Sequence, residues 1–188
     1  DEWGDMCVHH FNGIFAFAVW DPQAKRLFMA RDRMGVKPLF WSVKRGHLLF
    51  GSEIKAILAH PLAEAVVHTE GILDVLLIGP GATPGQMVFD GIAELPPGHA
   101  AWFDERGFRS YTYWKIRDRR HTENLADTLA HVRELVTDAI RRQLVSDVPV
   151  GTFLSGGLDS SVISAVAARE KPDLRTYSVD YADNDRYF

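Results

Sequence analysis

Residues 155 to 161 read SGGLDSS, which places three hydroxyls, two adjacent glycines and one carboxylate within seven positions. Gly156 and Gly157 let the backbone approach a ligand where a side chain would collide. If the stretch enters a helix, its free N–H groups and the positive end of the helix dipole make an anion site. Ser155, Ser160 and Ser161 add hydroxyl donors. Asp159 is the odd member, because a carboxylate beside phosphates repels them. It makes sense with a divalent cation between the two, and Mg²⁺ commonly bridges carboxylate and phosphate oxygens. The chain holds neither G-x-x-x-x-G-K-[ST] nor G-x-G-x-x-G. The plain alternative is a turn through the glycines with Asp159 capping a helix.

The flanking text favours the anion site. "VGTFL" before the loop reads as a short apolar strand, "SVISAVAARE" as a helix, and "LRTYSVDY" as another buried strand. Strand, loop, helix and strand make one βαβ unit, the start of a parallel sheet, and open α/β sheets bind ligands at the carboxyl ends of their strands. A helix from Glu123 to about Ser146 precedes the unit, capped by Thr122 and ended by Pro149. Leu125, Leu129, Val132, Leu135, Val136, Ile140 and Leu144 lie on one face of it.

From Phe11 to about Trp114 the pattern is strands and turns. "IFAFAVWD" reads as a strand buried on both faces, turned by "DPQAK" into "RLFMARD" as a hairpin over 14–31. Another strand follows Pro38, "KRGH" is a tight turn, and "SEIKAILAH" is a short helix capped by Ser52. "TEGILDVLLIG" has helical spacing, "PGATPGQ" is a loop, and a hairpin turns around "DERG". "RDRRHTEN" is a charged connector to the second zone.

The sequence given has 188 residues, 46% hydrophobic and 24% charged, with formal net charge −4. That charge gives no basic footprint for nucleic acid, and the run Ile14 to Trp20 is too short to span a bilayer. A single cysteine, Cys7, rules out an internal disulfide framework and fits a reducing cytosol. The stretch does not open with Met and stops at "NDRYF", so a piece of a longer protein is expected.

"SGGLDSS" is similar to the pyrophosphate loop of the ATP-pyrophosphatase superfamily, and "SDVPVGTFLSGGLDSSVISAVAA" resembles the opening of the synthetase domain of glutamine-hydrolysing asparagine synthetases. "FNGIFAFAVWD", "ARDRMGVKPLF", "FGSEIKAI" and "LPPGH" resemble the later half of the class II glutamine amidotransferase domain that precedes it. The resemblance covers nearly the whole chain. It implies an α+β and α/β architecture: residues 1–116 as the later half of an αββα glutaminase sandwich, and 117–188 as the start of a parallel-sheet nucleotide-binding α/β domain. By the resemblance Leu154, Ser155, Gly156, Gly157, Asp159 and Ser160 contact ATP, Val179 lines the adenine pocket, and Asp159 meets Mg²⁺. A cytoplasmic enzyme follows, with aspartate, glutamine and ATP as small-molecule substrates, neither nucleic acid nor membrane as partner, and a homodimer compatible with the family.

In that family the glutaminase nucleophile is an N-terminal cysteine, and the glutamine-holding residues lie upstream of this stretch. Cys7 is internal, without an α-amino group beside it, and is expected to be a buried or structural thiol. Adjacent His9 and His10 point apart, which disfavours a metal or triad role. No catalytic residue is therefore assigned. Arg31 and Asp32 are expected to pin the Gly35 turn by a local ion pair and turn hydrogen bonds. Lys37 and Glu53 read as solvated or helix-start charges. Relatives pass ammonia between domains through an apolar passage, where Ile14, Val36 and Leu154 match lining positions; core packing explains Ile14 and Val36 equally well.

Three functions follow. The first is asparagine synthesis: ATP adenylates the aspartate side chain, and glutamine-derived ammonia displaces AMP. The second keeps this machinery with another acceptor, as in β-lactam ring closure or amidation of sugars or peptides. The third concerns the 188 residues alone, which are expected to be inactive and to bind ATP weakly.

Overall fold

The computed structural model describes residues 2–79, 83 and 87–179. The chain divides into two compact units, Asp1–Asp118 and Arg119–Phe188. Most of "PGATPGQ", and the last two residues of "YSVDY", lie outside the described residues.

In the first unit a single 3₁₀ turn leads into α1 (Cys7–His10), then β1 (Ala16–Asp21) and β2 (Arg26–Arg31) pair antiparallel. The hairpin forms because Asp21 Oδ1 accepts the Gln23 and Ala24 N–H groups at 3.0 and 2.9 Å, closing the turn around Pro22. β3 (Phe40–Lys44) and β4 (His47–Gly51) follow, joined through Arg45 and Gly46, both at positive φ as a two-residue hairpin turn requires. Next come α2 (Ile54–Leu58), α3 (Thr69–Ile78), β5 (Ala93–Glu94), β6 (His99–Asp104) and β7 (Gly107–Thr112). They form two antiparallel sheets, ordered β1-β2-β6-β7 and β4-β3-β5.

The sheets share one core. Met29, Leu39, Leu95 and Ala101 pack with Ala16, Ala18, Leu27, Trp41, Leu48 and Phe108, so both sheets contribute. Trp41 stacks on Phe108 with centroids 3.7 Å apart. On the opposite face of the first sheet, Phe28, Ala30 and Ala100 bury Val8 of α1. Alternate residues of β2 therefore serve two cores, and β2 is the strand buried on both faces. β1 is an edge strand, and its Val19 and Trp20 are exposed. The continuous apolar run pointed to the wrong member of the hairpin, because a sheet edge has only one neighbour. Ser52 does not cap α2; Glu53 stands at the N-cap without a side-chain bond.

In the second unit α4 (Leu125–Gln143), β8 (Gly151–Phe153), α5 (Leu158–Glu170) and β9 (Arg175–Tyr177) follow, with β8 and β9 parallel. The cap of α4 is Asn124, not Thr122: its side chain accepts the Asp127 N–H at 3.0 Å. Among the described residues the end of the α4 apolar face is covered, with Ile140 and Leu144 packed on Ala167, Val150, Val166 and Leu174. Leu125, Leu129 and Val132 are exposed. β9 is exposed throughout rather than buried, because β8 is its single partner among the described residues. The whole is α+β followed by α/β, and its antiparallel layers are consistent with a glutaminase sandwich.

Candidate functional site

The loop after β8 is built by the parallel pair beneath it. Leu154 N–H donates to the Tyr177 carbonyl at 2.8 Å, extending the pairing one step past the strands. The Ser178 hydroxyl donates to the Leu154 carbonyl at 2.6 Å. The chain leaving β8 and the chain leaving β9 are thus tied together at the carboxyl ends of both strands. Leu154, Ser155, Gly156 and Gly157 lie on one side, and Val179, exposed, follows Ser178 on the other.

Gly156 sits at φ +80°, the left-handed region, where any other residue would be strained. A Cβ there would touch nothing within 4 Å, so conformation rather than space demands glycine. Gly157 is the N-cap of α5, extended and without a side-chain cap bond. The first N–H groups of a helix have no intrahelical acceptor, so Gly157, Leu158, Asp159 and Ser160 present main-chain donors at the positive end of α5. This is the arrangement that binds phosphate.

The hydroxyls are less free than the sequence suggests. Ser160 and Ser161 both donate to the Gly157 carbonyl, at 3.1 and 2.8 Å, and Ser155 Oγ lies 3.0 Å from Ser160 Oγ. A serine proton that serves a ligand must first rotate away from this carbonyl. Asp159 is exposed in the first turn of α5. No group of three or more His, Cys, Asp or Glu is placed to hold a metal among the described residues. A lone carboxylate fits Mg²⁺, which uses one or two carboxylates and completes its shell with water and substrate phosphates.

Reasoning from sequence missed three hydroxyls around this loop. Thr152 of β8 and the 7% exposed Ser164 of α5 bond at 2.8 Å, and Ser178 is the third. A single serine on the inner face of an apolar helix was the available signal for Ser164.

The "RDRMG" segment is a different kind of loop. Asp32 is only 1% exposed. Its Oδ1 accepts Met34 and Val36 N–H groups at 3.1 and 3.0 Å, and its Oδ2 accepts Lys37 and Phe15 N–H groups at 3.0 and 3.4 Å. Burial pushes this carboxyl up, but the four main-chain donors together outweigh burial and hold it below its ordinary value. Arg31 donates to the carbonyls of Lys37, Gly35 and Leu95, and pairs with Glu94 at 2.8 Å. The expected ion pair between Arg31 and Asp32 is therefore replaced: Arg31 takes Glu94, and Asp32 takes backbone. Tyr113 donates its hydroxyl to the Arg31 carbonyl at 2.7 Å, and burial pushes its phenol up to about 12.

Cys7 packs against the core that holds Val8 and Phe28. His10 stacks on Trp3, and His9 meets the Tyr113 ring edge-on. Lys37 and Glu53 are exposed, and Glu53 pairs with Lys55. Ile14 and Val36 are 41% and 55% exposed, so packing in the core does not account for them.

Residues 1–114 match the family model described as glutamine amidotransferase domain, and residues 131–187 match that described as asparagine synthase. Glutamine-hydrolysing asparagine synthetase 3 of Bacillus subtilis is 53% identical over 100% of this chain and 31% of its own length. Synthetase 2 of the same organism is 36% identical over 95% of this chain and 25% of its own. A putative glutamine-hydrolysing asparagine synthetase 2 of Methanocaldococcus jannaschii is 33% identical over 95% and 36%. The chain thus spans about a quarter to a third of the length of these relatives. With a two-sheet first unit that the amidotransferase model matches over residues 1–114, and a glycine loop in a second unit that carries the synthase match, the chain belongs to the glutamine amidotransferase domain family.

Proposed function

We infer that this chain is part of a glutamine-hydrolysing asparagine synthetase, with residues 1–116 in its glutaminase portion and 117–188 in its synthetase portion. The observation that carries this reading is the loop after β8, whose uncapped helix start and left-handed Gly156 offer main-chain N–H groups to phosphate. Support also comes from the similarity to curated synthetases along the whole chain.

In this reading Leu154, Ser155, Gly156, Gly157 and Ser160 hold ATP phosphates, and Val179 stands beside the adenine. A side-chain carboxylate oxygen of aspartate attacks the α-phosphorus, the bond to the pyrophosphate oxygen breaks, and pyrophosphate leaves. Ammonia from glutamine then attacks the acyl carbon, loses a proton, and AMP departs. The N–H groups at the start of α5 stabilise charge accumulating on the departing pyrophosphate. Asp159 would hold Mg²⁺ in part, and the bound ion would supply further neutralisation of the phosphates. Ile14 and Val36, apolar and exposed, suit a passage that neither protonates nor hydrogen-bonds ammonia. The enzyme works in the cytoplasm.

Product analysis tests the reading. The protein at its natural length, given aspartate, glutamine, ATP and Mg²⁺, is expected to form asparagine, glutamate, AMP and pyrophosphate in equal amounts. Amidation of a different acceptor, with aspartate left untouched, would overturn the assignment of substrate.

A further inference from the structure

Within the motif the loop is held at the Gly157 carbonyl by Ser160 and Ser161 and at Ser155 by Ser160, while Gly156 has no side chain and Gly157 makes no cap bond. Two bonds from outside the motif bracket it. Thr152 Oγ1, on the strand entering the loop, bonds Ser164 Oγ at 2.8 Å, on the second turn of the helix leaving it. Ser164 is buried and adjoins Ala167, which is fully buried, so this bond lies between helix and sheet. The Ser178 hydroxyl ties the Leu154 carbonyl at 2.6 Å to the chain leaving β9. The first tie fixes how far the start of α5 stands from the end of β8, and the second fixes the lateral edge of the mouth.

We propose that Thr152, Ser164 and Ser178 are positioning residues for the nucleotide loop, and that their hydroxyls preset the gap into which the phosphates fit. The inference rests on the reading of this loop as the ATP site. None of the three needs to touch the nucleotide. Their effect is to keep the α5 N–H groups converged before ligand arrives, so that ordering them costs nothing on binding.

The test is steady-state kinetics on the protein at its natural length, with asparagine formation as readout. Thr152→Val and Ser164→Ala are each expected to raise the KM for ATP about fivefold, one hydrogen bond's worth, with kcat and the KM for aspartate held. The double variant should be no worse than either single, because both remove the same bond. Ser178→Ala should add its own increase to either. Thr152→Ser, which keeps the hydroxyl, should restore the ATP KM. A merely structural role would instead lower active enzyme, and hence kcat, at unchanged KM. If these variants leave the ATP KM unmoved while Gly156→Ala and Asp159→Asn raise it, the positioning role is overturned and the ATP site stands. If Gly156→Ala and Asp159→Asn also leave it unmoved, the ATP site itself fails.

Discussion

Two loops of this chain carry an aspartate near a left-handed glycine, and they use their main-chain N–H groups in opposite ways. In residues 32–37 the Asp32 carboxylate consumes the donors of Met34, Val36 and Lys37, while Arg31 caps the carbonyls of Gly35 and Lys37. In residues 155–161 the aspartate is exposed in the first turn of α5, and the N–H groups of residues 157–160 have no acceptor among the described residues, Ser161 being the first to bond back, to the Gly157 carbonyl. The first loop is closed on itself around a buried carboxylate, with Met34, Val36 and Lys37 exposed. The second leaves the start of α5 without a side-chain cap. Residue types alone do not separate a structural loop from a binding one; the destination of each N–H does.

Exchanging the aspartates should break this contrast most severely. Asp32→Ala leaves four N–H groups without their acceptor and is expected to destabilise the first unit by about 3 kcal/mol or more. Asp159→Ala, at an exposed position, should leave stability within about 0.5 kcal/mol and abolish productive use of ATP. Urea titration of each variant beside an ATP-dependent assay reads both. Equal loss of stability in the two variants would erase the distinction.

Acid sharpens the comparison. Asp32 has a folded value below its ordinary 3.8. Its contribution is therefore fully present above that unfolded value and is lost as pH falls through the lower folded one. Stability of the wild-type chain should decline below about pH 4. Asp32→Asn, with no carboxyl to titrate, should show a flatter decline in melts between pH 2.5 and 5.

The smallest effect belongs to the start of α4. Asn124→Ala removes the cap on the Asp127 N–H and should cost about 1 kcal/mol, whereas Thr122→Ala should cost nothing measurable. Thermal melts of the two variants assign the cap.

Much of the fold was legible because its signals are local. The three hairpins are announced by their turns, the helix at 69–78 by apolar spacing, and the helix read over 161–170 begins three residues earlier, at Leu158. Errors fell where a partner decides the outcome. "IFAFAVWD" carries the apolar content of a doubly buried strand, yet its place at the sheet edge exposes Val19 and Trp20. Arg31 adjoins Asp32 in the sequence, but its ion pair lies on β5, far along the chain. Capping failed at Ser52 and Thr122 because several polar residues precede each helix, and the backbone angle at the first turn selects among them.

By itself the sequence determined the chemistry available at 155–161: two glycines to admit a ligand, a helix to follow, and one carboxylate for a cation. Those properties reside in residue type and short-range order. Only the tertiary structure decided that Thr152, Ser164 and Ser178 frame that loop, and that Asp32 is enclosed by backbone while Asp159 is open. Hydrogen-bond partners and burial depend on which distant segments pack together, and no local pattern encodes that choice.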